Sequence, residues 1–289
     1  MRRRFRHFAC IDWSGEAVAR PRGIALACCG EGDEAPVLVR PDGGWSRKAV
    51  LAWLLDHAGT QRDILIGIDA SLALPFADLG AYFPGWDETP ADARSLWGLV
   101  DRCCAGDAHL GASGVVDHVE AHRHFRRHGG RAGDLFGAGL GRLRVTERAC
   151  RDAGLGAAQS AFNLVGPAQV GKSSLTAMRM LHLLSGRVAV WPFDAVPTRG
   201  PLFVEIYTAI AAKAAGPGRA GKIRDAATLD RALVALGSRP HAVLPRYDDH
   251  STDAMVGAAW LRRAASDERL WRRKTDPRAA LEGWTFGVP

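Results

Sequence analysis

The sequence predicts an α/β fold with a mixed sheet flanked by helices and a largely helical insertion in the middle of the chain. Three strand-like segments follow one another within the first 40 residues, which favours an antiparallel meander. Strand-like and helical segments alternate later in the chain, as they do where parallel strands are joined through helices. Between these two parts, residues 71–160 are rich in Gly, Pro, His and Arg.

The first five elements follow from local patterns. Strands are predicted over 5–12, 23–29 and 36–40, because each segment contains strand-forming residues and is bounded by turn residues. A helix is predicted over 46–58, where apolar residues recur at helical spacing behind a serine that can cap the N-terminus. The run 64–68 is apolar throughout and predicts a central strand buried on both faces.

The remaining elements are predicted from the same periodicities. The insertion is taken as 71–160, within a single domain that spans 1–289. Helices are predicted over 94–104, 115–127 and 143–153 in the insertion, strands over 161–165, 187–191 and 201–206 after it, and further helices over 172–184 and 249–265.

The composition is that of a globular chain and excludes general disorder. Of the 289 residues, 47% are hydrophobic and 24% are charged, and the formal net charge is +7. Basic residues cluster at 1–6, 122–128 and 269–274. A polyanionic partner, nucleic acid (DNA or RNA) before membrane, is the natural expectation; the open alternative is that arginine is simply the solvated surface residue of this chain.

No feature of the sequence directs the chain to a membrane. No apolar stretch approaches the roughly 18 residues of a transmembrane helix, and the basic start is not followed by the apolar core of a signal peptide. The six cysteines include two adjacent pairs, and none of their spacings forms the Cys-x-x-Cys pairs of a zinc site. We interpret them as buried, reduced thiols and expect a cytoplasmic protein.

Four carboxylates lie at or near the ends of apolar segments, where an ionised group needs compensation. Asp12 and Asp69 close predicted strands, Glu205 lies in another strand, and Asp253 opens an apolar stretch of the last helix. Burial disfavours ionisation, and converging carboxylates also repel one another. A bound divalent cation would compensate both effects, and hard cations such as Mg²⁺ or Mn²⁺ prefer carboxylate oxygens.

A meander followed by alternating helices and strands, with acids in this order, matches the ribonuclease-H-like fold, whose members cleave or rejoin phosphodiesters. Such enzymes use two divalent ions about 4 Å apart. Asp12 would be the ligand shared by both ions, and Asp69, Glu205 and Asp253 would reach in from neighbouring elements. Asp249 lies four residues before Asp253 and would share its helix face, although it could equally cap that helix.

Each of these residues also has an ordinary structural interpretation. Asp is common at turns, which applies to Asp12 and Asp69, and strand alternation could place Glu205 on an exposed face. His250 lies beside the acids and could act as a general base or position a water, or it could be an exposed loop residue. The set of acids in this order, rather than any one of them, supports the predicted site.

Short segments spread over nearly the whole chain carry a resemblance to a known family. They are 11–15, 68–72, 74–75, 162–166, 169–175, 190–194, 204–207, 253–254 and 282–284. With these segments in this order, the chain resembles a family of predicted nucleases called domain of unknown function 429, and the resemblance implies a nuclease activity and the ribonuclease-H-like fold. In two places this chain differs from the usual family pattern, with Ser71 and Thr208 where proline is frequent.

A competing motif runs from Gly166 to Ser173 and matches the phosphate-binding loop Gly-x-x-x-x-Gly-Lys-Ser, between a predicted strand and a predicted helix. Lys172 would then contact the terminal phosphates of a nucleotide, and Ser173 would contact magnesium. No apolar strand ends in a clear second-motif aspartate, and Asp194 is a poor candidate. An intermediate interpretation keeps Lys172 as a phosphate contact for a nucleic-acid backbone.

Two further sites are considered in the insertion. His118 and His122, and likewise His124 and His128, are four residues apart in a predicted helix and could bind zinc, but no third ligand is evident. A solvated or phosphate-facing basic surface is the alternative. Arg144 could contact a phosphate or form a surface salt bridge with the residue three positions later.

The sequence therefore predicts a metal-dependent nuclease that hydrolyses phosphodiester bonds by a two-metal-ion carboxylate mechanism. Asp12, Asp69, Glu205, Asp253 and Asp249 would ligate Mg²⁺ or Mn²⁺, and the basic insertion would hold the nucleic acid. Two alternatives remain open because the fold hosts several functions. One is nucleotide binding or hydrolysis through the phosphate-loop motif, and the other is nucleic-acid binding without catalysis.

Overall fold

Six strands form one mixed sheet flanked by helices, which confirms the predicted α/β class. The computed structural model of the chain describes residues 5–127, 129, 131–166, 169–216 and 222–289. Six of the seven predicted strands occur, each within two residues of its predicted bounds. They are β1 His7–Asp12, β2 Ala25–Gly30, β3 Val37–Val39, β4 Ile64–Asp69, β5 Ala189–Trp191 and β6 Leu202–Glu205, in the spatial order β3-β2-β1-β4-β6-β5.

The strand directions bring several carboxyl ends to one edge of the sheet. As the meander predicts, β2 is antiparallel to both β1 and β3, whereas β1, β4, β6 and β5 run parallel to one another. Asp12 lies directly opposite Asp69 in the register, and Glu205 lies opposite Ile68. The acids that close β1, β4 and β6 therefore belong to one edge of the sheet.

The helices cover both faces of this sheet. Among the described residues, no helix is long and apolar enough to cross a membrane. The helices are α1 Arg47–Gly59, α2 Ala93–Cys103, α3 Ser113–Asp117, α4 Val145–Asp152, α5 Gly171–Leu184, α6 Thr208–Ala214, α7 Ala226–Ala235, α8 Asp249–Ala264, α9 Glu268–Trp271 and α10 Ala279–Glu282.

Alternation along β1 divides the core into two clusters. Ala9 and Ile11 are buried on one face together with residues of α1, α2 and α5. Phe8 and Cys10 are buried on the other face together with residues of α6, α7 and α8. Since side chains of a strand alternate between faces, this central strand is covered by helices on both sides.

Segment 71–160 contains less helix than its sequence predicts. The helices predicted over 94–104 and 143–153 occur as α2 and α4. The helix predicted over 115–127 is wrong, because α3 ends at Asp117 and only a 3-10 turn follows over Ala121–His124. The backbone of Arg126 instead hydrogen bonds with Phe162 and Leu164, which an α-helix at this place would not allow.

The strand predicted over 161–165 is also wrong. The segment forms a turn with an isolated bridge between Asn163 and Arg126. Its apolar side chains Ala161, Phe162 and Leu164 are nevertheless buried in the core. A short apolar run is compatible with a strand or with any other buried segment, and periodicity alone does not distinguish them.

Candidate active site

Asp12 and Asp69 form the centre of the candidate site. Both close parallel strands in direct register. The Nδ1 atom of His250 lies 2.8 Å from Oδ2 of Asp12, and the Thr208 hydroxyl donates a hydrogen bond of 2.6 Å to Oδ2 of Asp69. Burial raises the pKa of Asp12, although its hydrogen bond with His250 opposes the shift. Burial and the charge of Asp12 raise the pKa of Asp69 to about 7.

Asp253 joins this pair because α8 lies very close to β1. A Cβ atom at Gly257 would come within 2.4 Å of Sγ of Cys10, so this approach requires a glycine. Asp253 lies one turn before Gly257 on the same helix face. Burial and then the charge of Asp12 raise the pKa of Asp253 to about 6. Besides burial, the charges of Asp12, Asp69 and Asp253 all raise the pKa of the Cys10 thiol, so all three carboxylates act electrostatically on the same buried group.

The first turn of α8 places His250 in the site and engages Asp249 in ion pairs. The hydrogen bond to Asp12 raises the pKa of His250, whose side chain is 47% exposed. Asp249 forms ion pairs with Lys222, at 2.7 Å, and with Arg224. Burial disfavours ionisation of Asp249, but the hydrogen bonds from these two cations outweigh it and lower its pKa. The helix cap proposed for Asp249 is instead made by Asp248, whose carboxylate accepts from the amide of Ser251.

Glu205 lies at the same sheet edge but has a different set of partners from the predicted one. Arg144 donates to both of its carboxylate oxygens, at 2.8 and 2.6 Å. The amide of Leu72 and the hydroxyl of Thr285 also donate to them, at 2.9 and 2.5 Å. Glu205 is only 3% exposed. Both carboxylate oxygens of Glu205 are thus engaged by donors of the protein, including a cation.

Arg144 is the centre of a buried ion-pair network that the sequence did not predict. The predicted pair with Glu147 exists, at 2.7 Å, but Arg144 is 1% exposed rather than on the surface. Burial raises the pKa of Glu147 to about 7, although Arg144 opposes the shift. Arg144 also donates to the carbonyl of Glu282, whose carboxylate accepts from the amide of Phe76. The network ties both ends of segment 71–160 to the sheet and to α10.

The phosphate-loop motif lacks the strand that should precede it. Residues 167 and 168 lie outside the described residues, and the segment before Gly166 is the turn described above. Helix α5 begins at Gly171, and the hydroxyl of Ser173 donates to the carbonyl of Val170, at 2.8 Å. Lys172 is exposed and makes no ion pair with any described residue. A strand that leads directly into the loop is part of the fold that such motifs require.

The start of α5 nonetheless borders the candidate site. A Cβ atom at Gly15, three residues after Asp12, would lie 2.3 Å from the carbonyl carbon of Lys172. The turn after β1 is therefore packed against the first turn of this helix. Asp194, the weak second-motif candidate, is bound by Arg94 at 2.5 and 2.6 Å. That aspartate is committed to an ion pair.

A cavity of about 210 Å³ adjoins the acids. Asp12 and Asp69 lie at one side of it, and the ion-pair network around Arg144 forms part of its wall. Tyr207 and the side chains of Gln159 and Gln169 also line it. A second cavity of about 200 Å³ is lined in part by Gly15 and Lys172.

The carboxylates of Asp12, Asp69 and Asp253 suit a hard divalent cation, because such cations prefer carboxylate oxygens. In the part of the chain that the structure describes, their buried negative charge also lacks a full complement of positive partners. Among the described residues, no three His, Cys, Asp or Glu side chains are already arranged to hold a metal ion. The His pairs proposed for zinc gain no support either. His124 is buried between aromatic rings, the His122 ring contacts the carbonyl of His118, and His128 lies outside the described residues.

Because its pKa is raised, Asp69 should make the stability of the metal-free protein depend on pH. Between its ordinary value of 3.8 and about 7, the folded state binds more protons at Asp69 than the unfolded state, so stability falls as pH rises through this range. Asp69→Asn removes this titration. We therefore compare the melting temperatures of this variant and of wild type, both in chelator. The variant's melting temperature minus that of wild type should be about 2–6 °C larger at pH 7 than at pH 4.

Added Mg²⁺ provides the control for that measurement. It should stabilise the wild-type protein at pH 7 but not the Asp69→Asn variant, and so reduce the difference. A difference in melting temperature that stays constant from pH 4 to pH 7 would show that Asp69 has an ordinary pKa.

Comparison of the chain with known protein families, with curated proteins and with solved structures finds no match.

Proposed function

We propose that this protein is a divalent-metal-dependent phosphodiesterase that acts on nucleic acid, with Asp12, Asp69 and Asp253 as its central carboxylates. One observation carries the proposal. Asp12 and Asp69 lie in register at one edge of the sheet, and Asp253 lies on α8, which packs against β1; burial raises the pKa of each, and the charge of Asp12 raises the pKa of the other two. Perturbed carboxylates that cluster beside a cavity are typical of functional sites.

The sheet topology supports a ribonuclease-H-like fold. An antiparallel meander of β1 to β3 is followed by β4, which pairs in parallel with β1, and a further parallel strand lies beyond it. In such a sheet the ends of β1 and β4 are adjacent, which is where this chain carries Asp12 and Asp69. Since a fold can host several activities, the site itself carries the functional argument.

Asp12, Asp69 and Asp253 would hold Mg²⁺ or Mn²⁺. A bound divalent cation supplies Lewis-acid stabilisation for the negative charge that develops when a phosphodiester is hydrolysed. The raised pKa of each aspartate reflects the cost of burying its charge, to which the charge of Asp12 adds at Asp69 and Asp253. Glu205 is assigned to the structure rather than to the metal, because Arg144 already neutralises it.

His250 orients Asp12 and exchanges protons with solvent. Its Nδ1 atom shares a proton with Oδ2 of Asp12, which fixes one oxygen of that carboxylate. The ring is 47% exposed and therefore reaches water. A histidine in this position can give or take a proton near neutral pH.

Exposed cations beside the acids would hold the phosphate backbone. Lys222 and Arg224, between α6 and α7, are 62% and 55% exposed and lie at Asp249. In the insertion, Arg123 and Arg127 are likewise paired, with Asp134 and Asp117. The proposed backbone contacts thus include residues between α6 and α7, which lie outside the three basic clusters of the sequence.

A cleavage screen tests the proposed function. Purified protein is incubated with single-stranded, double-stranded and branched DNA and RNA, in the presence of Mg²⁺, Mn²⁺ or chelator. We expect cleavage of at least one substrate with metal and none with chelator. Binding should also weaken steeply as salt increases, because phosphate contacts release counterions.

The Lys172→Ala variant separates this function from nucleotide hydrolysis. It should retain cleavage, since the phosphate-loop motif lacks its strand. ATP or GTP turnover that disappears in Lys172→Ala, with no nucleic acid cut by the wild type, would refute the proposal.

A further inference from the structure

The cavity beside the acids has a composition that the phosphodiester chemistry does not require. Cleavage needs the carboxylates and contacts to the phosphate backbone. Tyr207, Gln159 and Gln169 instead offer one aromatic ring and two amide groups in the same cavity as Asp12 and Asp69. Aromatic rings stack on nucleobases, and amide side chains hydrogen bond with base edges.

Tyr207 is held in place and its hydroxyl is available. A Cβ atom at Gly156 would lie 2.6 Å from Cε1 of Tyr207, so the chain at 156 is in close contact with the ring edge. The ring is half-buried, and the hydroxyl makes no hydrogen bond with any described residue. Tyr207 lines the same cavity as Asp12 and Asp69, and burial and the charge of Asp69 raise the pKa of its hydroxyl.

Two glutamines supply the amide groups of the cavity lining. Gln169 is exposed, and its side chain makes no hydrogen bond with any described residue. Gln159 is half-buried and donates from Nε2 to the carbonyl of Ala157, at 2.7 Å. That bond fixes the position of the Gln159 amide, whose oxygen remains an acceptor. The amides of Gln159 and Gln169 can together hydrogen bond with the donors and acceptors on the edge of one nucleobase.

The cavity is large enough for one base and too small for a base pair. Its volume is about 210 Å³. A cavity of about 150 Å³ holds one benzene ring, so one purine or pyrimidine can be accommodated here. A paired base would have to leave its partner to enter. The occupant is therefore an unpaired or extruded nucleotide.

We infer that this cavity is a nucleobase subsite, which receives the base of the nucleotide whose phosphate lies at Asp12 and Asp69. This inference rests on the proposed function and refines it. The substrate class is nucleic acid that is single-stranded, or has an unpaired base, at the point of cleavage. Stacking on Tyr207 supplies affinity, and the amides of Gln159 and Gln169 supply preference among bases.

Nucleoside binding tests the subsite without depending on cleavage. Adenosine, guanosine, cytidine and uridine are titrated by calorimetry into wild type, Tyr207→Ala and Tyr207→Phe, all in chelator. We expect saturable binding of at least one nucleoside to wild type. Binding should weaken about 5- to 100-fold in Tyr207→Ala and stay within about 3-fold in Tyr207→Phe, since stacking needs the ring but not the hydroxyl.

A second variant keeps the test decisive if Tyr207→Ala does not fold. Gln169→Ala changes an exposed side chain and should alter the order of affinities among the four nucleosides. Saturable binding that is the same in wild type and in both alanine variants would overturn the subsite, as would the absence of any nucleoside binding at millimolar concentration. Asp12-dependent cleavage without nucleoside binding would reject the subsite alone, whereas binding without any cleavage would reject only the proposed function.

Discussion

Replacing Asp12 by Asn should reduce metal-dependent cleavage by about 10³-fold or more while the protein remains folded. Asp12 is central in the site, since it lies opposite Asp69 in the register and its charge raises the pKa of both other aspartates. The change removes a charged ligand but preserves the size of the side chain. When several residues act as one catalytic unit, the loss of a single member typically lowers the rate by this factor. Initial cleavage rates at saturating Mg²⁺ provide the measurement.

Asp248→Asn is the matched control for this substitution. Asp248 is also an acidic residue near the start of α8, but its carboxylate caps the helix by accepting from the amide of Ser251. Asparagine caps helices equally well, so cleavage should remain within about 3-fold of wild type. If Asp12→Asn cleaved as fast as Asp248→Asn, the carboxylate cluster would not be the catalytic site.

Replacing Arg144 by Met should destabilise the protein by about 3–5 kcal/mol, because it leaves two buried carboxylates without their cation. Glu147 and Glu205 are 4% and 3% exposed, and Arg144 bonds to both. Denaturant unfolding followed by circular dichroism measures the change. Arg148→Met, on the exposed side of the same helix, should change stability by less than about 0.5 kcal/mol.

A double variant shows whether the buried charge is the cause. Glu205→Gln neutralises one of the two carboxylates, so Arg144→Met combined with Glu205→Gln should recover part of the lost stability. A loss below about 1 kcal/mol in Arg144→Met would mean that water solvates these carboxylates. In that case Glu205 would return as a candidate metal ligand.

The sequence was sufficient to find the strands that carry the central acids. Asp12 and Asp69 each end an apolar run, and the meander followed by alternating elements predicts that these two runs are neighbours. Asp253 was predictable because its helix stripe is apolar, and that stripe, with Val256 and Trp260, is buried. These predictions rest on the spacing of apolar residues along the chain, which follows from the burial of one face of a helix or of both faces of a central strand.

The partners of Glu205 and Asp249 could not be predicted in the same way. Arg144 is 61 residues from Glu205 along the chain, and the sequence carries no signal that an arginine will be buried. Arg224 is 25 residues from Asp249 and lies outside any periodic segment. Residues 161–165 show the converse error, since a buried apolar run resembled a strand although its backbone pairs at only one point. Long-range charge pairing and backbone pairing are decided by the tertiary fold.

Direct measurement of Mn²⁺ binding tests the central claim that the three aspartates form a metal site. Wild type, Asp12→Asn, Asp69→Asn and Asp248→Asn are titrated with Mn²⁺ at pH 8 and followed by electron paramagnetic resonance. Binding to wild type and to Asp248→Asn, weakened at least about 10-fold in Asp12→Asn and in Asp69→Asn, is the predicted result. Equal affinity in all four proteins, or no binding to wild type, would contradict it.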